Sequence, residues 1–453
     1  MAIVSDVTAA HTTGLQHIDA LIDDGPNWNY LLPATNTLTY TFTVGIDDEV
    51  TNSNVSGPVT AFNSTQQAAV RSILSYITTV TGIQFSEVGG GATANIHFSN
   101  ANISGANFSG YCSWHYNYHY TTGQVLTNYA AIAYVYLDNV EWAAQNASPS
   151  AGTYAYETLL HEMGHALGLK HSFNGAITLP TAEDNTSYSL MSYTHSGGNH
   201  TSYSPYDLAA LAWLYGGDGL AGTDGLNSAT DNRVLYGSSH ADTITTATGN
   251  DKLYGAGGND ILQGGKGNDL LDGGEGIDVA LFAASRSQFS LSKSGSDLIV
   301  SDNTGALGND TLRNVERIQF SDKIIAFDTD GAAGKAYRLY QAAFDRVPDA
   351  DGLGYWVKAM DKGASLHDVA SGFVTSSEFT SMYGSNPTAE AVVSTLYNHV
   401  LHRAAESGGY NYWVGVVKGG AALSDVLGAF SESAENQAQL IGVIQNGMEF
   451  SVA

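Results

Sequence analysis

Eleven residues constrain this chain more than any others: His161-Glu162-Met163-Gly164-His165-Ala166-Leu167-Gly168-Leu169-Lys170-His171. On a helix, His161 and His165 leave the same face one turn apart. That is the spacing a tetrahedral zinc needs from two nitrogen ligands at about 2.0–2.1 Å. Glu162 lies between them, poorly placed as a third ligand and well placed to take a proton from water on the metal. Gly168 can adopt a positive φ and end the helix, so that His171 returns to the same ion. Three neutral ligands leave a coordination position open, which marks a catalytic rather than a structural site.

The bare HExxH pattern arises by chance in roughly one chain in twenty of this length. Adding the glycine and the third histidine lowers that to about one in ten thousand. The full pattern is the metzincin signature. Downstream, Ser189-Leu190-Met191-Ser192-Tyr193 resembles the Met-turn of that clan, and its SxMSY form is most similar to the serralysin branch. The resemblance implies a zinc protease domain with Met191 in the loop beneath the metal. It also implies that Tyr193 ligates zinc at rest and then swings to hydrogen-bond the oxyanion. Serralysins usually carry proline after the third histidine, where this chain has Ser172.

A length of 453 residues allows about three domains. A net charge of -27 argues against nucleic acid or an anionic membrane surface as partner and favours hard cations. One cysteine, Cys112, excludes an intrachain disulfide framework, and a buried or partly buried free thiol is its expected state. The first residues show neither a basic nor an apolar signal region, so no ordinary signal peptide is expected. Ala130–Leu137 is too short an apolar run to span a bilayer.

In chain order, Ile18–Ile22 reads as a short helical piece and Leu38–Phe42 as a first strand. A helix follows, with Ser64 and Gln67 as a capping box, Val70, Ile73, Leu74 and Ile77 as its apolar stripe and Gly82 as its stop. Ile83–Val88 and Ala94–Ser99 read as strands. In serralysins the strand equivalent to the second is the edge that pairs with substrate main chain. His115 and His119 read as aromatic loop or strand residues near the cleft rather than as a second metal site. Pro205–Gly216 reads as a helix with proline near its start and glycine at its stop.

A period of nine then sets in. Asp242, Asp251, Asp260, Asp269 and Asp278 recur with Ile244, Leu253, Leu262 and Leu271, and Gly258, Gly267 and Gly276 stand two places before their aspartates. This is the calcium-binding repeat of RTX proteins. Glycines permit the turns, one aliphatic residue per repeat fills a thin core, and the aspartates meet calcium. If two repeats make one coil, aspartates stack about 4.8 Å apart and need counter-cations. From Lys335 onward a second repeat appears at an offset of 57: Tyr340 matches Tyr397, Arg346 matches Arg403, and Tyr355-Trp356 matches Tyr412-Trp413. It resembles a helical domain of unknown function appended to bacterial RTX exoproteins. Asp345, Asp349 and Asp351 lack an EF-hand's closing glutamate and read as core and turn residues.

The expected fold is multidomain α+β: an N-terminal extension (1–36), a metzincin domain of twisted mixed sheet plus active-site helix (37–217), a parallel β-roll (218–330) and an α-helical tail (335–453) with a C-terminal secretion signal. The expected function is a secreted zinc endopeptidase with one catalytic zinc on His161, His165, His171 and Tyr193, Glu162 as base, and several structural calcium ions. Protein and peptide substrates and the type I secretion machinery are the expected partners. A monomer without a membrane span, exported to the bacterial exterior by a signal-peptide-independent route, completes the reading. The rival reading is a calcium-dependent adhesive surface protein whose protease-like domain is inert.

Overall fold

The computed structural model describes residues 2–9, 11–23, 27–45, 54–89, 94–226, 228 and 230–452. Contacts gather the chain into two units: Met1–Asp260 with Gly264–Gly274 and Ala306–Thr311, and Ile261–Gln263 with Glu275–Gly305 and Leu312–Ala453.

The first unit begins with two short helical pieces, α1 (Val4–Thr8) and α2 (Gln16–Asp19). A six-stranded mixed sheet follows, built from β1 (Thr37–Thr41), β2 (Val55–Ala61), β3 (Gln84–Glu87), β4 (Ile96–Ile103), β5 (Gly110–Tyr120) and β6 (Leu126–Asp138). Its order is β3-β1-β4-β6-β5, with β2 also paired to β4. β5 runs antiparallel to β6, whereas β4 and β6 are parallel. The strand expected at the substrate edge is therefore an interior one, flanked by β1 and β6. The reason lies in its residues: Ile96 to Asn100 are buried on both faces, as in a strand covered on both sides. The order ends at β3 and at β5, and on β5 Tyr116 and Tyr120 are exposed.

Helix α3 (Ser64–Thr81) buries the expected stripe of Val70, Ile73, Leu74 and Ile77, and Gly82 ends it at φ +76°. Its capping box lies one residue earlier than the sequence suggested. The Asn63 side chain accepts the N–H groups of Thr65 and Gln66, and Gln66 returns a bond to Asn63. Asparagine caps at least as well as serine, and the buried Gln66 amide also bonds Asn100 and the Asn146 carbonyl. After α4 (Ala143–Asn146) come α5 (Tyr154–Ala166), capped by Thr153, and α6 (Pro205–Tyr215), ended by Gly216 at φ +67°. Trp28 is fully buried, and its Nε1–H donates to Ala166 O at 2.7 Å, tying the N-terminal segment to the end of α5.

Six three-residue strands then start at intervals of nine: β7 (Val234–Tyr236), β8 (Thr243–Thr245), β9 (Lys252–Tyr254), β10 (Ile261–Gln263), β11 (Leu270–Asp272) and β12 (Val279–Leu281). Within the first unit, β7, β9 and β11 pair in parallel, with Leu235 opposite Leu253 and Leu253 opposite Leu271. Residues 18 apart are thus neighbours, and these leucines are buried.

In the second unit β10 pairs in parallel with β12, and β13 (Phe289–Ser294) forms a hairpin with β14 (Asp297–Asp302). β15 (Asn309–Arg313), whose first three residues belong to the first unit, precedes β16 (Arg317–Gln319) and β17 (Lys323–Ala326), and β17 pairs with both β16 and β18 (Met448–Ser451). Between β17 and β18 lie α7 (Ala332–Phe344), α8 (Ala350–Asp361), α9 (Leu366–Val374), α10 (Ser377–Tyr383), α11 (Ala389–Val400), α12 (Ser407–Lys418), α13 (Leu423–Ser431) and α14 (Ala434–Ile444). The 57-residue offset is visible in the packing. Tyr340 meets Phe373 edge-on at 4.7 Å and Tyr397 meets Phe430 at 5.2 Å. Arg346 pairs with Glu378 and Arg403 with Glu435. Asp345 and His402, one offset apart, both cross φ +50°, and Asp349 caps α8 through the Gly352 N–H. Among the described residues no helix is long and apolar enough to cross a membrane.

Candidate metal centre

Helix α5 carries His161 and His165 one turn apart, with ring centroids 4.9 Å from each other. The helix stops where the Leu169 N–H returns to Gly164 O at 3.0 Å, and Gly168 takes φ +90°. The outgoing strand is pinned by Lys170 N–H to Leu21 O at 2.7 Å, which swings His171 back. Its Nε2 lies 3.2 Å from His161 Nε2 and 3.1 Å from His165 Nε2. Among the described residues this is the one group of three or more His, Cys, Asp or Glu side chains so gathered.

The outer nitrogens fix the tautomers. His161 Nδ1 stands 2.8 Å from Leu190 O and His165 Nδ1 stands 2.8 Å from Leu169 O. A carbonyl only accepts, so each Nδ1 carries the proton and each Nε2 presents a bare lone pair. Bare nitrogens at this separation repel unless a cation lies between them. A tetrahedron of metal–nitrogen bonds near 2.05 Å has edges of about 3.3 Å, so the donor set fits zinc. Burial, reinforced in each case by a neighbouring imidazole, pulls His161 and His165 down to about 3 and His171 to about 4. All three imidazoles are neutral at pH 7, the form in which a histidine can hold a metal.

Glu162 is buried beside them, and burial pushes its carboxyl up to about 8. Gly110 leaves it room, because a Cβ there would lie 2.8 Å from Glu162 Cγ and Oε1. Tyr193 is exposed, with its ring 4.6 Å from that of His171. Met191 is fully buried under α5, where a Cβ on Gly164 would come within 2.6 Å of its Sδ. Ser172, in the position where proline was expected, donates Oγ–H to Asp184 at 2.5 Å. Its N–H reaches toward Met191 O at 3.4 Å, a contact proline could not make. A recess of about 290 Å³ opens in front of Glu162, between α5, the start of β5 and the Met-turn loop. His115 and His119 lie along β5, outside the gathered group. Cys112 is half-buried on the same strand, and burial holds its thiol well above the usual range.

One residue of this region went unmarked in the sequence. Asp207, in the first turn of α6, is fully buried. It accepts Ser189 Oγ–H at 2.7 Å, Leu190 N–H at 2.7 Å and Ser204 N–H at 3.0 Å. It therefore holds Leu190, the residue whose carbonyl orients His161. Burial outweighs these bonds and pushes the Asp207 carboxyl up to about 6.

The repeat aspartates form ladders at the 18-residue offset. Asp242 N–H donates to Asp260 Oδ1 at 2.7 Å, and Asp251 N–H to Asp269 Oδ1 at 2.8 Å. The second ladder continues through Asp269 N–H to Asp310 Oδ1 at 2.9 Å, and Asp278 N–H donates to Glu316 Oε2 at 2.9 Å. Asp310 and Glu316 were not among the expected ligands. The signal for Asp310 was a fourth Gly-Asn-Asp at 308–310, matching those at 249–251, 258–260 and 267–269. Asp251 and Asp269 each bury an Oδ2 that receives no hydrogen bond. Burial pushes Asp269 up to about 6 and Asp310 to about 7. Crowded, underdonated carboxylates of this kind suit a hard cation. Gly258, Gly267 and Gly276 take φ +106°, +136° and +142°. A Cβ on Gly267 would lie 1.7 Å from Gly249 O, so the close approach of the coils requires glycine there.

Comparison with known proteins agrees with this arrangement. The matrixin family model matches residues 47–215, and the model of the RTX calcium-binding nonapeptide repeat (4 copies) matches 218–253, 236–271 and 245–280. A domain of unknown function, DUF4214, matches residues 336–382 and 370–440. Metallopeptidase AprA of Pseudomonas marginalis is 28% identical over 257 residues, covering 48% of this chain and 49% of that protein. Serralysin G of Dickeya chrysanthemi is 29% identical over 202 residues (40% of this chain, 39% of that protein), and Serralysin C of the same organism is 32% identical over 158 residues (27% and 33%). The chain spans about half the length, or less, of these relatives.

Proposed function

The chain is a serralysin-type metzincin with RTX repeats, and from that premise we propose that it is a secreted zinc endopeptidase that hydrolyses peptide bonds of proteins. The observation that carries this reading is the convergence of three imidazoles, His171 Nε2 lying 3.1–3.2 Å from the Nε2 atoms of His165 and His161, beside a buried glutamate at the mouth of a recess. His161, His165 and His171 are the zinc ligands, with Tyr193 as a fourth in the resting site. Bound there, zinc supplies a Lewis acid and lowers the pKa of water to near neutral. Glu162 takes the water's proton on a carboxylate oxygen and hands it to the leaving amine. The nearby dication favours the carboxylate form that burial alone disfavours. The Tyr193 hydroxyl donates to the carbonyl oxygen of the substrate as charge builds on it. Met191 lies beneath the helix, and Asp207 holds Leu190, whose carbonyl orients His161. The rival reading, an inert adhesive protein, has no use for Glu162 and three correctly orientated imidazoles.

Residues 218–330 form a parallel β-roll in this reading, with calcium on Asp242, Asp251, Asp260, Asp269 and Asp278. Residues 1–36 are an extension, 37–217 the peptidase domain and 335–453 the helical tail. Export through a type I route suits the repeats, because carboxylate ladders repel until they meet millimolar calcium outside the cell. Casein hydrolysis tests the activity. It is expected to vanish on zinc removal with 1,10-phenanthroline and return on adding zinc, and hydrolysis indifferent to phenanthroline would overturn the proposal.

A further inference from the structure

The recess beside Glu162 has a charged end for which the hydrolytic step has no use. Glu157 stands on α5 four residues before His161, on the same helix face and about 6 Å back along the axis. It is only 6% exposed, yet it lines the recess together with Thr158, Ser192 and His195. One carboxylate oxygen accepts the main-chain N–H of His200, and the other lies 3.4 Å from His195 Nε2. An ionised carboxylate has about four acceptor positions, so these partners leave capacity for a further donor. The lining holds two carboxylates, Glu157 and Glu162, and no lysine or arginine. Phe108 and Leu190 supply apolar wall.

Those features describe a slot for one kind of side chain. A long aliphatic stem would lie against Phe108 and Leu190, and its cationic head would reach Glu157. An acidic side chain would meet a like charge out of bulk water, where repulsion is strong. A neutral one would leave the carboxylate's remaining capacity unused. The net charge of -27 adds a long-range attraction for basic peptides.

Resting on the proposed proteolysis, we infer that this recess receives a side chain flanking the scissile bond and that Glu157 makes it select arginine or lysine. Glu157 thus names the substrate class, basic segments of proteins, while Glu162 performs the proton transfers. A purely structural Glu157, tying α5 to the loop at His200, would leave substrate preference unmoved when its charge is removed.

The test uses the full zinc-loaded chain and peptides that differ only in Arg, Leu or Glu beside the cleaved bond. Wild type is expected to favour Arg over Leu by about tenfold in kcat/KM, with Glu slowest. Glu157→Gln keeps an acceptor for the His200 N–H and is expected to bring the Arg-to-Leu ratio close to one. Glu157→Lys should reverse the order of Arg and Glu. Binding of the same peptides to the Glu162→Ala chain, followed by fluorescence, should repeat the wild-type ranking without turnover, and it decides the matter even where a Glu157 variant misfolds. An Arg-to-Leu ratio near one in wild type, or one unchanged in folded Glu157→Gln, overturns the inference and leaves the protease intact. Failure to cleave any peptide overturns the protease reading instead.

Discussion

Replacing Asp207 by alanine should damage the metal centre although Asp207 contacts none of its imidazoles. The carboxylate is fully buried and accepts Ser189 Oγ–H, Leu190 N–H and Ser204 N–H. The hydroxyl can turn elsewhere, but the two main-chain donors cannot. Each buried donor left without an acceptor costs about 1–3 kcal/mol, so the pair costs roughly 2–6 kcal/mol. In a domain of about 200 residues each kcal/mol moves the melting temperature by about 2–4 °C, which gives a drop on the order of 10 °C. The Leu190 carbonyl that orients His161 would loosen once the Leu190 N–H is released, and losing such an outer partner weakens a metal by about 10–100-fold. Asp207→Asn retains an acceptor and should cost far less. Because the folded carboxyl sits at about 6, above its ordinary value, its stabilising contribution is present at low pH and lost as pH rises through 6. The melting temperature of wild type minus that of Asp207→Asn should therefore fall between about pH 4 and 6 and stay flat above. Thermal melts by near-ultraviolet circular dichroism, with zinc affinity from chelator competition, measure both effects. A melting point within about 2 °C of wild type for Asp207→Ala, with unchanged zinc affinity, would refute the reasoning.

Gly164→Ala would push a Cβ to within 2.6 Å of Met191 Sδ, and overpacking of about 1–3 kcal/mol should show as a lowered melting temperature, whereas an unchanged one would mean Met191 yields freely. Tyr193→Phe should keep zinc on three histidines and lower kcat by about a hundredfold with little change in KM, and an equal kcat would remove the tyrosine from the mechanism. In EGTA the aspartate ladders should lose stability as pH rises through about 6 and 7, because Asp269 and Asp310 bind protons more tightly when folded than unfolded. Calcium at 1 mM should remove that slope and add about 1.4 kcal/mol for each site of ~10⁻⁴ M affinity. A melt of the full chain indifferent to EGTA at pH 8 would contradict the calcium ladder.

Much of the site was legible because its rules are local. His161, His165 and His171 are related by one helical turn and one glycine stop, and the aspartate period of nine survives without any knowledge of the partner coil. What escaped depends on contacts between distant segments. In its own helix Asp207 closes a capping box with Ser204. Its bonds to the Met-turn are fixed only when α6 packs there. Asp310 follows Asp269 by 41 residues instead of 18, so the ladder continues where the period has broken. Glu157 stands in the first turn of α5, where nothing local in the sequence ties it to the recess. The edge strand was misplaced for a related reason: Ala94–Ser99 was matched to a family role, while its burial on both faces belongs to the folded sheet. In the tail, the match of Tyr340 with Tyr397 does not reveal their contacts with Phe373 and Phe430, because a repeat reveals equivalence and not contact.

The most direct test of the central claim compares wild type with Glu162→Ala, measuring zinc per chain by mass spectrometry and casein cleavage on the same preparations. Glu162 is the only acid between the two helical histidines, so its removal should take away the proton carrier and leave the ligands. The account predicts one zinc per chain in both proteins and cleavage by wild type alone. Substantial casein turnover by Glu162→Ala at neutral pH, or wild type that binds no zinc, would contradict it.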